Sequence, residues 1–126
     1  MIDHISLAVR DLAAAAAFYE AVLAPLGLAR LVDRDASVGF GKRYPEFWLN
    51  ARPALAPVAE DTGVHICLRA PDTAAVDAFH AAALAGGGRD AGAPGPRQAA
   101  MTTYYGAFIR DPDGNKVEAL TFPRPT

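Results

Sequence analysis

Alternating apolar and polar positions open the chain and predict a β-strand over residues 2–9. The two faces of this segment carry Ile5, Leu7 and Val9 on one side and His4, Ser6 and Ala8 on the other. A helical pattern follows in the segment LAAAAAFYEAVLAPLGL, with Asp11 as its predicted N-cap and with Pro25 and Gly27 ending it. The chain therefore begins with a strand that has one apolar face, followed by a helix.

Three further strands complete the predicted first half. They are Leu28–Val32, Ser37–Gly41 and Tyr44–Asn50, and the last has Glu46, Trp48 and Asn50 on one face. The segment Arg52–Asp61, with two prolines and several alanines, then predicts a linker.

The pattern restarts after this linker, which indicates an internal repeat. The segment GVHICLRAP is similar to IDHISLAVR, and the helical pattern of Thr73–Leu84 is similar to that of the first helix. A repeat of this length is a duplicated supersecondary unit, here strand–helix–strand–strand–strand. We predict one domain over residues 1–126, with module one at about 1–50, a linker at about 51–62 and module two at about 63–122.

The end of the chain predicts a long loop and then a hairpin. Asp90–Thr103 is rich in glycine and proline and favours a loop. In the hairpin, Pro112 and Gly114 suit a tight turn, and the strand after it carries Glu118 among apolar residues. If that carboxylate is buried, another group must compensate its charge.

Composition narrows the function classes. Hydrophobic residues make up 52% of the chain and the formal net charge is −2, so it can form a core and has no basic footprint for nucleic acid or an anionic membrane. No apolar run is long enough to span a bilayer, and the N-terminus has no signal-peptide pattern. The single cysteine, Cys67, excludes an intramolecular disulfide. We expect a cytoplasmic protein.

Two histidines and one glutamate are the main candidates for chemistry. His4 and His65 occupy equivalent positions in the two repeats, on the strand faces that the helices do not cover, and Glu118 is predicted to share that face. Two imidazoles and a carboxylate suit a divalent ion of zinc, iron, manganese, cobalt or nickel. The alternative is a metal-free cluster in which Glu118 accepts hydrogen bonds from one or both imidazoles.

The chain resembles the vicinal oxygen chelate superfamily, which includes glyoxalase I, bleomycin-resistance proteins and extradiol dioxygenases. The segments that carry the resemblance are DHISLAVRDL, AFYEAVLAPLGL, GVHICLRAP and, above all, FIRDPDGNKVEAL. The resemblance implies an α+β fold of two βαβββ modules whose curled mixed sheets surround a shared cavity. It also implies that the first and last strands of each module lie side by side, and that a short chain forms a homodimer. The cavity then forms either within one chain or between two, and the sequence leaves both arrangements open.

Metal ligands follow from the same resemblance. The family's metal positions match His4, His65 and Glu118. The fourth ligand of glyoxalase I matches Trp48, and Glu46, two residues away, would replace it only with a shifted register. This departure argues against glyoxalase chemistry proper, and the three retained positions resemble the ligand triad of the extradiol enzymes.

Five further residues could contact a substrate. Substrate-binding candidates are Trp48, Tyr104, Tyr105, Arg69 and Arg97, and alternation sends only one of the two tyrosines inward. Each has an ordinary structural alternative, such as ring packing or a solvated charge. We expect Cys67 to be a buried, inert thiol on the cavity face, and His80 to lie on the surface of the second helix.

Three functions remain open from the sequence. The first is a small metalloenzyme acting on a substrate with vicinal oxygens, as a lyase, an isomerase or a dioxygenase. The second is a metal-free module that binds or sequesters a small molecule, as bleomycin-resistance proteins do. The third is a degenerate module that serves only as an interaction partner.

Overall fold

The computed structural model describes residues 1–123 as two four-stranded mixed sheets, each with one helix. The predicted α+β fold of two βαβββ modules is therefore confirmed. Module one contains β1 (Ile5–Val9), α1 (Leu12–Leu23), β2 (Ala29–Asp33), β3 (Ser37–Gly41) and β4 (Pro45–Ala51). Module two contains β5 (Ile66–Arg69), α2 (Thr73–Ala85), β6 (Arg89–Gln98), β7 (Thr103–Arg110) and β8 (Lys116–Thr121). No helix within residues 1–123 has the length and apolar character needed to cross a membrane.

The two sheets have the same strand order. It is β1-β4-β3-β2 in the first and β5-β8-β7-β6 in the second. The first and last strands of each module pair in parallel, and the other neighbours are antiparallel. As a result β1 and β5 are edge strands, each with an unpaired side.

Both helices begin at an aspartate that caps free backbone N–H groups. The carboxylate of Asp11 accepts a hydrogen bond from Ala14 N at 3.1 Å, and that of Asp72 accepts one from Ala75 N at 2.8 Å. After a short 3₁₀ turn, Gly27 takes a left-handed conformation and ends the first helical segment. The predicted cap and end of the first helix are confirmed.

One hydrophobic core joins the two modules. The inner face of each sheet packs on its own helix, and α1 and α2 pack against each other. The largest fully buried side chains come from both modules, among them Tyr19, Phe40, Phe47, Phe79 and Ile109. The outer sheet faces, which include the positions of Trp48 and Glu118, are consequently turned away from the helices.

A buried carboxylate fastens the modules together at the β7–β8 turn. Asp111 is 2% exposed, and its Oδ2 accepts hydrogen bonds from the hydroxyl of Tyr19 at 2.6 Å and from Asn115 Nδ2 at 2.9 Å. Asn115 also donates to the carbonyl of Ala8 at 3.0 Å, so β1 is tied to the same turn. Burial raises the pKa of the Asp111 carboxyl, while the hydrogen bonds from Tyr19 and Asn115 oppose that rise.

The turn has the predicted glycine geometry. Gly114 has a φ of 97°, in the left-handed region that its lack of a Cβ permits. Asp113 is also buried, and its Oδ1 accepts hydrogen bonds from the backbone and side chain of Arg10.

The predicted loop over Asp90–Thr103 is wrong, because most of this segment forms strand β6. Proline is tolerated there since β6 lies at the edge of its sheet, and the ladder with β7 shifts register twice, around Gly92. Glycine and proline therefore mark an irregular edge strand here.

The predicted surface position of His80 is also wrong. His80 is 8% exposed, and its Nε2 lies 2.9 Å from Asp90 Oδ1 at the start of β6. Helix α2 packs on β6, and this strand covers the side of the helix that a loop would have left open. This hydrogen bond is the largest cause of the lowered pKa of Asp90.

We expect Tyr19→Phe to destabilise the protein by about 1–3 kcal/mol, because it removes a buried hydrogen bond to Asp111 and keeps the ring. The measurement is urea unfolding followed by circular dichroism. Tyr44→Phe is the control, since Tyr44 is 47% exposed, and its effect should stay within about 0.5 kcal/mol. Equal stabilities of the Tyr19 variant and the parent would contradict the role given to this bond.

Candidate functional site on the outer face of the second sheet

Glu118 lies at the centre of a hydrogen-bonded cluster on β8. Only 3% of the residue is exposed. Its Oε1 is 3.1 Å from Nε2 of His65, and its Oε2 accepts a hydrogen bond from the hydroxyl of Tyr104 at 3.0 Å. Each carboxylate oxygen thus has its own partner, which compensates for burial of the charge.

The sheet topology explains why these residues meet. β5 runs parallel to β8, with Cys67 opposite Glu118. His65 is two residues before Cys67, so its side chain lies on the same face of the sheet as Cys67 and Glu118. β7 is antiparallel to β8 on the other side, with Phe108 opposite Glu118. Side chains from both neighbouring strands, together with His65 just before β5, therefore lie around one carboxylate.

Glycine at position 106 allows the tyrosine to reach the glutamate. A Cβ added to Gly106 would lie 2.8 Å from Cε2 of Tyr104 and 3.3 Å from Oε2 of Glu118. The Tyr104 ring therefore occupies space that any other residue at position 106 would need. Burial and the bond to Glu118 raise the pKa of the Tyr104 hydroxyl, so it remains a proton donor.

The two tyrosines point to opposite sides of β7. Tyr104 faces the cluster, whereas the Tyr105 hydroxyl donates to Asp77 Oδ1 on α2 at 2.6 Å. The structure therefore places Tyr105 away from the other candidates for substrate binding.

The thiol beside the cluster is exposed, in contrast to the predicted burial of Cys67. Desolvation, followed by the effect of Glu118, raises the pKa of this thiol to about 12. Cys67 therefore stays a neutral thiol at ordinary pH. The expected lack of reactivity stays a prediction, and the raised pKa supports it although part of the side chain is exposed.

His4 lies apart from this cluster, at the edge of the first sheet. Its Nδ1 is 2.7 Å from Oδ1 of the neighbouring Asp3, and the His4 side chain is 53% exposed. Within residues 1–123, no three histidine, cysteine, aspartate or glutamate side chains are grouped closely enough to hold a metal ion. One chain thus brings together two of the three predicted ligands.

A cavity of about 520 Å³ nevertheless connects the two histidines. It opens between the edge strands β1 and β5, and both His4 and His65 line it. Glu46 and Arg69 are also in its wall, together with apolar side chains such as Ile5 and Leu68.

Trp48 belongs to a second, shallower depression on the outer face of the first sheet. This depression has a volume of about 380 Å³ and also contains His4, Ser6 and Asn50. The Trp48 ring lies on Gly39, where an added Cβ would come within 3.0 Å of it, and the guanidinium of Arg34 lies 5.1 Å from the ring centroid. Trp48 therefore has the position of a flat platform beside His4.

Arg69 and Arg97 both lie on the outer face of the second sheet. Arg69 is over the ring of Phe122, at 4.8 Å from the centroid, and Arg97 is over Phe108, at 5.1 Å. Phe108 also contacts His65, with ring centroids 5.4 Å apart. Phe108 was missed by sequence reasoning, although its alternation with Gly106 and Tyr104 on β7 places it on this face.

Comparison with known proteins agrees with the fold of the two modules. The sequence model of the glyoxalase/bleomycin resistance protein/dioxygenase superfamily matches residues 1–119. The chain belongs to this superfamily. Among curated protein sequences, none matches the chain.

Solved structures of superfamily members share the fold. A glyoxalase/bleomycin resistance protein from Albidiferax ferrireducens is 34% identical, with a TM-score of 0.82 over 94% of this chain and 97% of that one. A family enzyme from Burkholderia phytofirmans is 19% identical, with a TM-score of 0.72 over 97% and 98% of the two chains.

A longer relative shows the same fold in part of its chain. A variant of glyoxalase I from Zea mays is 22% identical, with a TM-score of 0.73. The match covers 94% of the chain described here and 44% of the maize chain.

We expect Cys67 to react with iodoacetamide at pH 8 roughly fiftyfold more slowly than a free thiol, because few molecules carry a thiolate. The rate should keep rising up to pH 10 without a plateau. Glu118→Gln should lower the pKa of the Cys67 thiol. Each unit of that decrease should speed the reaction about threefold, because the tenfold gain in thiolate is partly offset by weaker nucleophilicity. Mass spectrometry measures the rate, and the chain has no other cysteine to interfere.

The same protein unfolded in urea is the control and should react like a free thiol. A native Cys67 that reacts at that rate, or a plateau below pH 9, would contradict the raised pKa.

Proposed function

We propose that this superfamily member is a small metal-dependent enzyme that acts on a small molecule with two neighbouring oxygens, as a lyase, isomerase or dioxygenase. The observation that carries the proposal is the pairing of His65 Nε2 with a buried carboxylate oxygen of Glu118, at 3.1 Å. Both belong to the predicted ligand set, although 53 residues separate them in the chain.

The residues fit a divalent ion in donor chemistry. An imidazole nitrogen and a carboxylate oxygen are ordinary ligands of zinc, iron, manganese, cobalt and nickel. Bound there, such an ion would act as a Lewis acid towards two adjacent substrate oxygens. His65 is the accessible member of the pair, with 41% of its side chain exposed against 5% for Glu118.

The groups around the pair have separate roles in this proposal. Tyr104 donates to Oε2 of Glu118 and so fixes the carboxylate, leaving Oε1 directed towards His65. The neutral thiol of Cys67 adds no negative charge next to the carboxylate. Glu46 remains the candidate for moving a proton, since it lines the cavity that contains both histidines.

The third ligand in this proposal is His4 of a second copy of the chain. Support comes from the two edge strands, β1 and β5, which have an unpaired side and adjoin the two histidines. Large apolar side chains are exposed at both places, with Ile2 80% and Val64 71% exposed. Such an edge and such side chains favour burial in a homodimer.

The second candidate function is metal-free binding of a planar small molecule. It is favoured by the cluster itself, in which both oxygens of Glu118 already have partners within one chain. It is also favoured by Trp48, a ring in place of the expected fourth ligand, with Arg34 stacked upon it.

We expect the untagged protein to bind Co²⁺ or Zn²⁺ stoichiometrically, and His65→Ala or Glu118→Gln to lower its affinity by at least about tenfold. Elemental analysis and Co²⁺ absorption spectra measure the binding. His80→Gln is the matched control, because it changes the histidine that is bonded to Asp90 outside the site. Equally low metal binding by the parent and the His65 variant would overturn the proposal.

The source of the third ligand is tested with differently tagged chains. We expect homodimers of His4→Ala and of His65→Ala to lose the ion, and the isolated heterodimer of the two to bind one ion per pair. This follows because one site of the heterodimer then has all its wild-type ligands. Loss of binding in the heterodimer would place all three ligands in one chain, and a His4→Ala homodimer that keeps the ion would remove His4 from the set.

The two candidate functions differ in how ligand binding responds to a chelator. For the enzyme, we expect quenching of the single tryptophan, Trp48, by catechol-type ligands with vicinal oxygens to disappear with EDTA and to return with Zn²⁺. Quenching that persists unchanged in EDTA would favour the metal-free binding protein instead. Trp48→Phe, read out by calorimetry, is the control for optical effects.

A further inference from the structure

Two cations share one aromatic ring next to the candidate site. The ammonium nitrogen of Lys116 lies 4.8 Å from the ring centroid of Phe108, and Cζ of Arg97 lies 5.1 Å from it. Phe108 is directly opposite Glu118 in the β7–β8 ladder. The two positive charges are therefore next to the cluster that contains His65.

Neither cation forms a salt bridge with the residues that the structure describes. Within residues 1–123, no carboxylate lies within ion-pair distance of Lys116 or Arg97. Two acids are near them and both have other partners. The hydrogen bond with His80 is the main cause of the lowered pKa of Asp90, and Arg97 adds to it from beyond ion-pair distance. Glu118 accepts hydrogen bonds from His65 and Tyr104. Two like charges near one ring repel each other, and an anion bound beside Phe108 would offset that repulsion.

Arg97 is held in position and still has donors to offer. Its Nη2 donates to the carbonyl of Ala93 at 2.7 Å, and its Nε donates to the carbonyl of Gly106 at 3.3 Å. A guanidinium has five N–H donors, so three remain. A fixed, planar donor group of this kind suits a carboxylate.

We propose that Lys116 and Arg97, stacked on Phe108, form a site for the carboxylate of a small organic substrate. This site would make the substrate an organic acid. The inference rests on the proposed function, because that function places the reacting part of the substrate at His65 and Glu118. Lys116 supplies a mobile charge, Arg97 a fixed planar one, and Phe108 an apolar surface for the adjoining part of the molecule.

The test uses ¹⁵N-labelled full-length protein after EDTA treatment, so that its outcome does not depend on a metal ion. Sodium benzoate is the probe, and benzamide is its neutral counterpart of similar shape, both at constant ionic strength. We expect benzoate to give saturating amide shifts at Gly106, Phe108 and Lys116, with at least tenfold weaker binding of benzamide.

Substitutions then assign the binding to these side chains. Lys116→Met should weaken benzoate binding about tenfold, as expected for loss of one charge-assisted contact, and Lys116→Arg should restore it. Lys116 is the better first position, because Arg97 also bonds the backbone. Arg43→Met, at an exposed cation of module one, is the matched control and should bind benzoate like the parent.

Equal binding of benzoate and benzamide, or unchanged affinity in Lys116→Met, would overturn the carboxylate site. The two proposals can fail separately. Benzoate binding that depends on Lys116 in a protein without affinity for metal supports this site and removes the metalloenzyme. Metal binding by a protein that does not distinguish benzoate from benzamide supports the metalloenzyme and removes the carboxylate site.

Discussion

The second half of the structure depends on how one buried carboxylate is compensated. Glu118 lies on a central strand, on the sheet face that the helix does not cover, and it is nonetheless almost inaccessible. A charge in this position is tolerated only with hydrogen-bonding partners, and the structure supplies one from each neighbouring strand, His65 before β5 and Tyr104 on β7. The chemistry of the site follows from this arrangement, because it brings an imidazole nitrogen and a carboxylate oxygen together.

A second buried carboxylate has a structural role and shows the contrast. Asp111 is enclosed by Tyr19, Asn115 and backbone N–H groups, and its partners connect the last hairpin to α1 and β1. Those partners are a hydroxyl, a side-chain amide and backbone N–H groups that all donate hydrogen bonds to the carboxylate, and the group lies on the helix side of the molecule. Burial of a carboxylate alone does not indicate a functional site. Whether the carboxylate can take part in chemistry depends on which groups are its partners and on whether they are accessible.

The two sheets are alike in topology and differ in the side chains on their outer faces. In each sheet an aromatic ring packs against a glycine on the third strand of the module. Trp48 packs against Gly39, and Tyr104 packs against Gly106. In the first sheet the ring is a platform next to an exposed histidine. In the second sheet its hydroxyl reaches the glutamate. The duplication thus supplies a common framework, and a few substitutions on one face give each half a different chemical character.

The sequence by itself determined the local elements and the internal repeat. Strand alternation, aspartate caps and the Pro112–Gly114 turn depend on neighbouring residues, and the repeat places His4 and His65 in equivalent positions. The family and its fold could be predicted from the same segments. Those features are local or periodic, so they can be read along one chain.

Only the tertiary structure decided which side chains meet. The sequence could not place strand β6 in a segment rich in proline and glycine, because tolerance of proline depends on lying at a sheet edge. The buried state of His80 and the exposure of Cys67 likewise depend on which strand covers each side chain. Tyr104 and Glu118 meet only because β7 pairs with β8 and Gly106 leaves room for a ring. Pairing partners, burial and free space are set by contacts between distant segments, and the pattern of one segment does not contain them.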